Sequence, residues 1–154
     1  MKKIFYGKNH LDEVANALRL LSTAYLEHNE YKNALQYFQE CLQILQVINS
    51  PDEEVECILN IAHCHKGLNN DVAALNALCR VEEFCAKNSF SEEMRLHVHN
   101  ELSDLYCEKY ANKSKALYHL KEAEAILKRQ KNEEDLSEIQ AKIFSLEFQE
   151  NKLE

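Results

Sequence analysis

The sequence predicts an all-α domain made of antiparallel helix pairs, and three observations carry that prediction. The stretch Leu18–Cys41 holds two apolar patterns at helical spacing, split by a short polar break at His28-Asn29-Glu30. Leu18, Leu21 and Tyr25 recur at steps of three and four before the break, and Ala34, Phe38 and Cys41 do so after it, so each half is an amphipathic helix. A break this short joins them only as an antiparallel pair. Second, the 154 residues contain two glycines and one proline, too few turn formers for a sheet protein. Third, the pattern returns along the chain about every forty residues.

The elements follow in order. Helix one is expected over about 11–27 and helix two over about 31–48, with Ser22 and Ala34 small enough to let the backbones approach. Asn49-Ser50-Pro51-Asp52 breaks the pattern. Ser50 as N-cap, Pro51 in the first turn and the acids Asp52, Glu53 and Glu54 start helix three, expected to run to about Lys66 and close on Gly67 as its C-cap. A shift of forty sends Leu18, Leu21 and Ser22 to Ile58, Ile61 and Ala62, and Ala34, Phe38 and Cys41 to Ala74, Leu78 and Val81. Tyr25 becomes His65, a departure; helix four covers about 71–86. A third copy over 92–131 has Leu102, Ser103 and Tyr106, then Ala116, Leu120 and Ala123. Its turn near Tyr110-Ala111-Asn112 must absorb one extra residue, and helix six is expected over about 113–130. A seventh helix over about 135–149 carries the stripe Leu136, Ile139, Ile143 and Leu146 and covers the face that the last pair leaves open.

The large, small and aromatic triplet followed by Ala, Phe and a small residue resembles a tetratricopeptide repeat. The residues that carry the resemblance are Leu18, Leu21, Ser22, Tyr25, Ala34, Phe38 and Cys41. The flanking words, Tyr6-Gly7-Lys8-Asn9-His10, then Asp12-Glu13-Val14-Ala15 and Ala17-Leu18, resemble the longer-period repeats of kinesin light chains and nephrocystin-3-like proteins. The resemblance implies a stack of three hairpins plus a C-terminal capping helix, wound as a right-handed superhelix. The expected organisation is one helical-repeat domain over 1–154, with repeats at about 11–48, 51–88 and 92–131 and the cap at about 135–149. In that repeat type, words like Tyr6–His10 lie between repeats, so the chain is expected to be either a shortened array or a piece of a longer one.

Composition limits the function classes. Charged residues at 29% and hydrophobic ones at 45% describe a globular chain. A formal charge of −8 disfavours nucleic acid and anionic membrane surfaces, which need a positive field. No apolar run reaches the length of a membrane span, and the opening residues lack the core of a secretory signal. The six cysteines show no framework spacing, which points to reduced, mostly buried thiols and a cytoplasmic setting.

His63-Cys64-His65 and His97-Val98-His99 are rich in metal ligands. Residues two apart on a helix point in nearly opposite directions, so neither trio closes a site alone, and no metal or cofactor is expected. No glycine-rich phosphate loop, HExxH or EF-hand pattern occurs, and Cys41 falls on a packing position rather than in an electropositive pocket. The chain reads as a non-enzyme.

The remaining candidate is a binding groove. In stacked helical hairpins the first helix of each pair lines the concave face. Its outward residues here are Asn16, Arg19 and Thr23; Glu56, Leu59, Asn60, His63 and Lys66; and His97, Asn100, Glu101 and Asp104. Asparagines offer both a donor and an acceptor to a peptide backbone. Tetratricopeptide co-chaperones that grip an acidic C-terminus use basic residues and asparagines from successive first helices. Arg19 and Asn60 fit that clamp, Thr23 and His97 are weak replacements, and Glu101 would repel the carboxylate. Kinesin light chains hold acidic peptides flanking an aromatic anchor, a partner that this acidic chain does not suit. The expected function is protein–protein interaction, with a partner peptide or helix held in the groove. The alternative is a structural or self-associating segment of a longer array. Its end faces, at residues 1–10 and at Phe144 and Phe148, would then make the contacts.

Overall fold

The computed structural model describes residues 8–87 and 91–152, with side chains described over 10–87 and 91–148. Tyr6, Gly7 and the rest of the expected end face at 1–7 lie outside the described residues. Seven α-helices are present among these: α1 (Lys8–Glu27), α2 (Tyr31–Ile48), α3 (Pro51–Gly67), α4 (Asp71–Lys87), α5 (Glu92–Glu108), α6 (Lys113–Gln130) and α7 (Glu133–Lys152). No strand occurs among the described residues. The chain forms two compact units, Met1–Ala77 and Leu78–Glu154, that divide within α4.

In the first unit α2 packs against α1 on one side and α3 on the other. Its stripe of Ala34, Phe38, Cys41 and Leu45 is buried, together with Ala15 of α1 and Cys57, Ile61 and Cys64 of α3. Two thiols bond across helices, Cys41 Sγ donating to Ala15 O at 3.3 Å and Cys57 Sγ to Phe38 O at 3.1 Å. Ser22 is buried because its hydroxyl donates to Leu18 O at 2.6 Å, so the small polar residue leaves no donor unmet. Tyr25 stacks on Tyr37 with centroids 5.6 Å apart. Leu21, which belongs to the apolar pattern, is 42% exposed. Its counterparts Ile61 and Leu102 are buried.

The helix ends rest on asparagine. Asn29, Asn49 and Asn69, twenty residues apart, all take left-handed backbone conformations. Each stands just past a helix, where the next amide reaches back five residues. Glu30 N donates to Tyr25 O at 2.9 Å, Ser50 N to Leu45 O at 3.1 Å and Asn70 N to His65 O at 2.8 Å. These are Schellman closures, and Asn tolerates the left-handed region better than most residues. Lys131 does the same after α6. Gly67 therefore does not close α3 by its conformational freedom. It lies inside the last turn, where an added Cβ would stand 2.5 Å from the Tyr31 ring. The helix needs Gly there for close approach, and Asn69 supplies the positive φ. Ser50 occupies the N-cap of α3 but makes no side-chain capping bond, leaving Pro51 and the three acids to favour that end.

In the second unit α6 packs between α5 and α7. Leu102, Ser103 and Tyr106 of α5 and Ala116, Leu120 and Ala123 of α6 are all buried. The extra residue of the α5–α6 turn is absorbed at Ala111, whose φ is 48°. Asn112 N reaches back to Tyr106 O at 2.9 Å, one residue further than the other closures. Side-chain caps from Ser91, Asn112 and Asn132 to Met94, Lys115 and Asp135 amides start α5, α6 and α7. Of the α7 stripe, Ile139, Ile143 and Leu146 are buried and Leu136 is half-buried. Phe144 and Phe148 do not share that face. They stack on each other at 6.1 Å and are 69% and 55% exposed.

Candidate functional site

A concavity of the first unit lies between α1 and α3, over α2. It encloses about 530 Å³. One wall carries Asp12, Glu13, Asn16 and Arg19 of α1, the other Glu53, Glu56 and Asn60 of α3, and Phe38, Cys41 and Leu45 form the floor. Four of the residues expected on the groove, Asn16, Arg19, Glu56 and Asn60, are brought together here. Helical periodicity explains it: Asn16 and Arg19 are three apart, Glu56 and Asn60 four apart, so each pair shares a face.

The electrostatics of the cleft are acidic. Arg19 is the one cation among its lining residues, against Asp12, Glu13, Glu53 and Glu56. Its Nη2 donates to Asn16 Oδ1, which positions both groups on the same wall. The buried thiols here shift in opposite directions, and a hydrogen bond with Cys57 holds the Cys41 thiol below its ordinary value. A hydrogen bond with Cys41 and then burial push the Cys57 thiol up, and burial pushes Cys64 of the same core up to about 11.

The other expected groove residues are placed elsewhere. Thr23 is exposed and its hydroxyl donates back to Arg19 O at 2.8 Å. His63 lies edge-on to Tyr31 at 6.2 Å, and Lys66 is half-buried near the end of α3. In the second unit His97 is exposed, whereas the Asn100 amide oxygen is buried. Asp104 lines a separate cavity of about 280 Å³ with Ser103 and Cys107 of α5, Leu120 of α6, and Lys142 and Leu146 of α7. Glu101 is half-buried on α5.

One cluster went unread in the sequence. Glu82 of α4, His99 of α5 and His119 of α6 converge in the second unit, each offering a ligand atom within 4.8 Å of the others. His97 and His99 diverge as their spacing dictates, and His99 instead meets His119, Nδ1 to Nδ1, at 3.0 Å. Glu82 Oε2 stands 3.3 Å from His119 Nδ1 and 3.9 Å from His99 Nδ1. Burial, then His99 and Lys115, hold the His119 imidazole down at about 4. Burial likewise lowers His99 and raises Glu82. The available signal was a histidine at 119 on the α6 stripe of Ala116, Leu120 and Ala123, where an imidazole enters the core and needs a partner.

No family model matches the sequence, and no curated protein matches it. Solved structures match by fold. The translocator chaperone SycD of Yersinia enterocolitica type III secretion aligns at TM-score 0.65 and 13% identity, over 96% of this chain and 90% of that one. PcrH in complex with the chaperone binding region of PopD aligns at 0.68 and 12% identity, over 90% and 95%. PcrH with the chaperone binding region of PopB aligns at 0.58 and 11% identity, over 92% and 97%. The chain therefore has a tetratricopeptide-like, all-helical fold.

Proposed function

We propose that this chain is a non-enzymatic binding module that holds a segment of a partner protein in the cleft between α1 and α3. The observation that carries the reading is the cleft itself, with Asn16, Arg19, Glu56 and Asn60 displayed above an apolar floor. Such a trough takes an apolar side chain downward while the asparagines engage the peptide backbone. Acidic walls select a partner segment with basic residues flanking that side chain. Among the structural neighbours, PcrH is seen in complex with the chaperone binding regions of PopD and PopB, which supports a peptide-holding role for this fold. His63 and Lys66 of the same unit would extend the contact where the partner segment is longer, and His97, Asn100, Glu101 and Asp104 of the second unit are proposed as a separate place of contact. The repeat type proposed is that of kinesin light chains and nephrocystin-3-like proteins, in one repeat domain with its cap, in a cytoplasmic setting.

The test is capture of a partner by the intact chain, followed by calorimetry with the segment identified. Arg19→Ala and Asn60→Ala, with helix content unchanged, should each weaken binding about tenfold, the loss of one charge-assisted or backbone contact. Glu56→Lys should weaken a basic segment further. A partner indifferent to all three changes removes the cleft from consideration.

A second reading rests on a separate observation, the stacked and exposed Phe144 and Phe148 of α7. Two phenyl rings presented to solvent suit association through the end of the repeat stack. Light scattering across a concentration series would show a dimer lost in Phe144→Ser/Phe148→Ser, and a monomer throughout would end this reading.

A further inference from the structure

We propose that Glu82, His99 and His119 form a binding site for one divalent transition metal ion of the zinc class, bracing α4, α5 and α6. The proposal is independent of the cleft between α1 and α3. It begins from three donor atoms that converge without enough hydrogens to satisfy them. Two imidazole Nδ1 atoms 3.0 Å apart share a single hydrogen, one ring donating and the other accepting. Glu82 Oε2 is buried and has no hydrogen-bond partner among the described residues. A buried carboxylate oxygen left this way is costly, and a cation at the centre of the three atoms meets all of them at once.

The geometry fits such an ion. Zinc bonds of about 2.0 Å to nitrogen and oxygen at tetrahedral angles set ligand–ligand separations of about 3.3 Å. The separations here are 3.0, 3.3 and 3.9 Å, so a shift of a few tenths of an ångström completes the shell. Neutral imidazole is the form that binds metal, and both rings are held neutral by their burial. Two imidazoles and a carboxylate suit zinc, with nickel and copper as competitors. Ring packing fixes the ligands: His119 stacks on Tyr106 at 5.7 Å and 5°, and Tyr118 meets it edge-on at 5.1 Å.

Charge and access agree. Glu122 acts electrostatically on both Glu82 and His99, adding negative potential against that of Lys115 and Arg95. A cavity of about 280 Å³ opens beside the cluster, lined by Glu82, His99 and Glu122 and also by Arg95 and Arg129, both of which lie against Glu92. It gives the ion an entry path and leaves a fourth coordination position to water, the arrangement of three protein ligands plus one open site.

The experiment uses the full chain, stripped with chelator and kept reduced, and titrates cobalt(II) followed by competition with zinc. The expected result is one equivalent of cobalt bound with visible d–d absorption, displaced by zinc, and a melting temperature raised by zinc. Because the chain has six cysteines, the near-ultraviolet thiolate-to-cobalt band is the critical control, and it should be missing. Glu82→Gln and His99→Gln should each weaken zinc at least tenfold, whereas Cys107→Ser should leave it unchanged. His119 is deeply buried and its variant could fail to fold, so the half-buried Glu82 carries the decisive substitution, checked by circular dichroism. Stoichiometric binding missing from the wild type, a strong thiolate band, or zinc affinity unmoved by Glu82→Gln would each overturn the proposal.

Discussion

Replacing Gly67 with Ala is ordinarily a stabilising change inside a helix, by up to about 1 kcal/mol. Here the structure reverses the sign. The new Cβ would stand 2.5 Å from Cδ1 and Cε1 of Tyr31 and 2.6 Å from Cδ2, against 3.4–4 Å for ordinary contact. The ring must retreat by roughly 1 Å, and forced overpacking of this kind costs about 1–3 kcal/mol. Retreat also loosens the Tyr31 hydroxyl bond to Asn29 Oδ1 at 3.1 Å and the edge contact with His63, together about 1 kcal/mol more. The net expectation is a loss of about 1–3 kcal/mol. The assay is urea unfolding followed by far-ultraviolet circular dichroism on Gly67→Ala, Tyr31→Ala and the double variant. With the ring gone, Gly67→Ala should become neutral or stabilising, giving a coupling of about 2 kcal/mol. Additive single effects, or a more stable Gly67→Ala in the native background, would refute the close-approach argument.

Three further outcomes are expected. Asn49→Gly should hold or raise stability while Asn49→Ala lowers it by about 1 kcal/mol, because φ is 55° there; equal melting temperatures would show that the left-handed closure contributes nothing. Phe38→Ala, at a side chain 1% exposed, should cost about 3–5 kcal/mol in denaturant unfolding, and a loss under 1 kcal/mol would show a repacked floor. The third concerns acid. His119 is held at about 4 when folded, below the roughly 6.5 of an unfolded imidazole. The unfolded chain therefore takes up the proton first as pH falls, so stability present above about 6.5 is lost towards 4, on the order of 3 kcal/mol in full. His99 adds to the same slope, while Glu82, raised by burial, acts in the opposite sense at lower pH. Histidine NMR titrating both rings near 6.5 would contradict this.

The helix pairs were legible because each element carries its own period. Ala34, Phe38 and Cys41 announce a buried stripe whatever lies opposite, and their counterparts Ala74, Leu78 and Val81 confirm the register with every member buried. The turns were half legible. Asn29, Asn49 and Asn69 stand at a twenty-residue interval, yet Gly67 drew the C-cap assignment because glycine is the usual left-handed residue. Its true constraint, the face of Tyr31, comes from a different helix. Four of the residues lining the cleft could be named, since Asn16 with Arg19 and Glu56 with Asn60 follow from one-helix geometry. The Glu82–His99–His119 cluster could not, because it needs three helices set side by side and no spacing within one of them encodes it.

Neighbour-only packing has a kinetic consequence. α2 closes on α1 and α3, and α6 on α5 and α7, so within each unit the stretches of chain that must loop round are short. Short loops forfeit little entropy on closing, and low contact order of this kind goes with folding in microseconds to milliseconds. A lesion such as the loss of Phe38 should then slow or weaken its own pairs first, because in arrays of this type disturbance spreads only through adjacent interfaces.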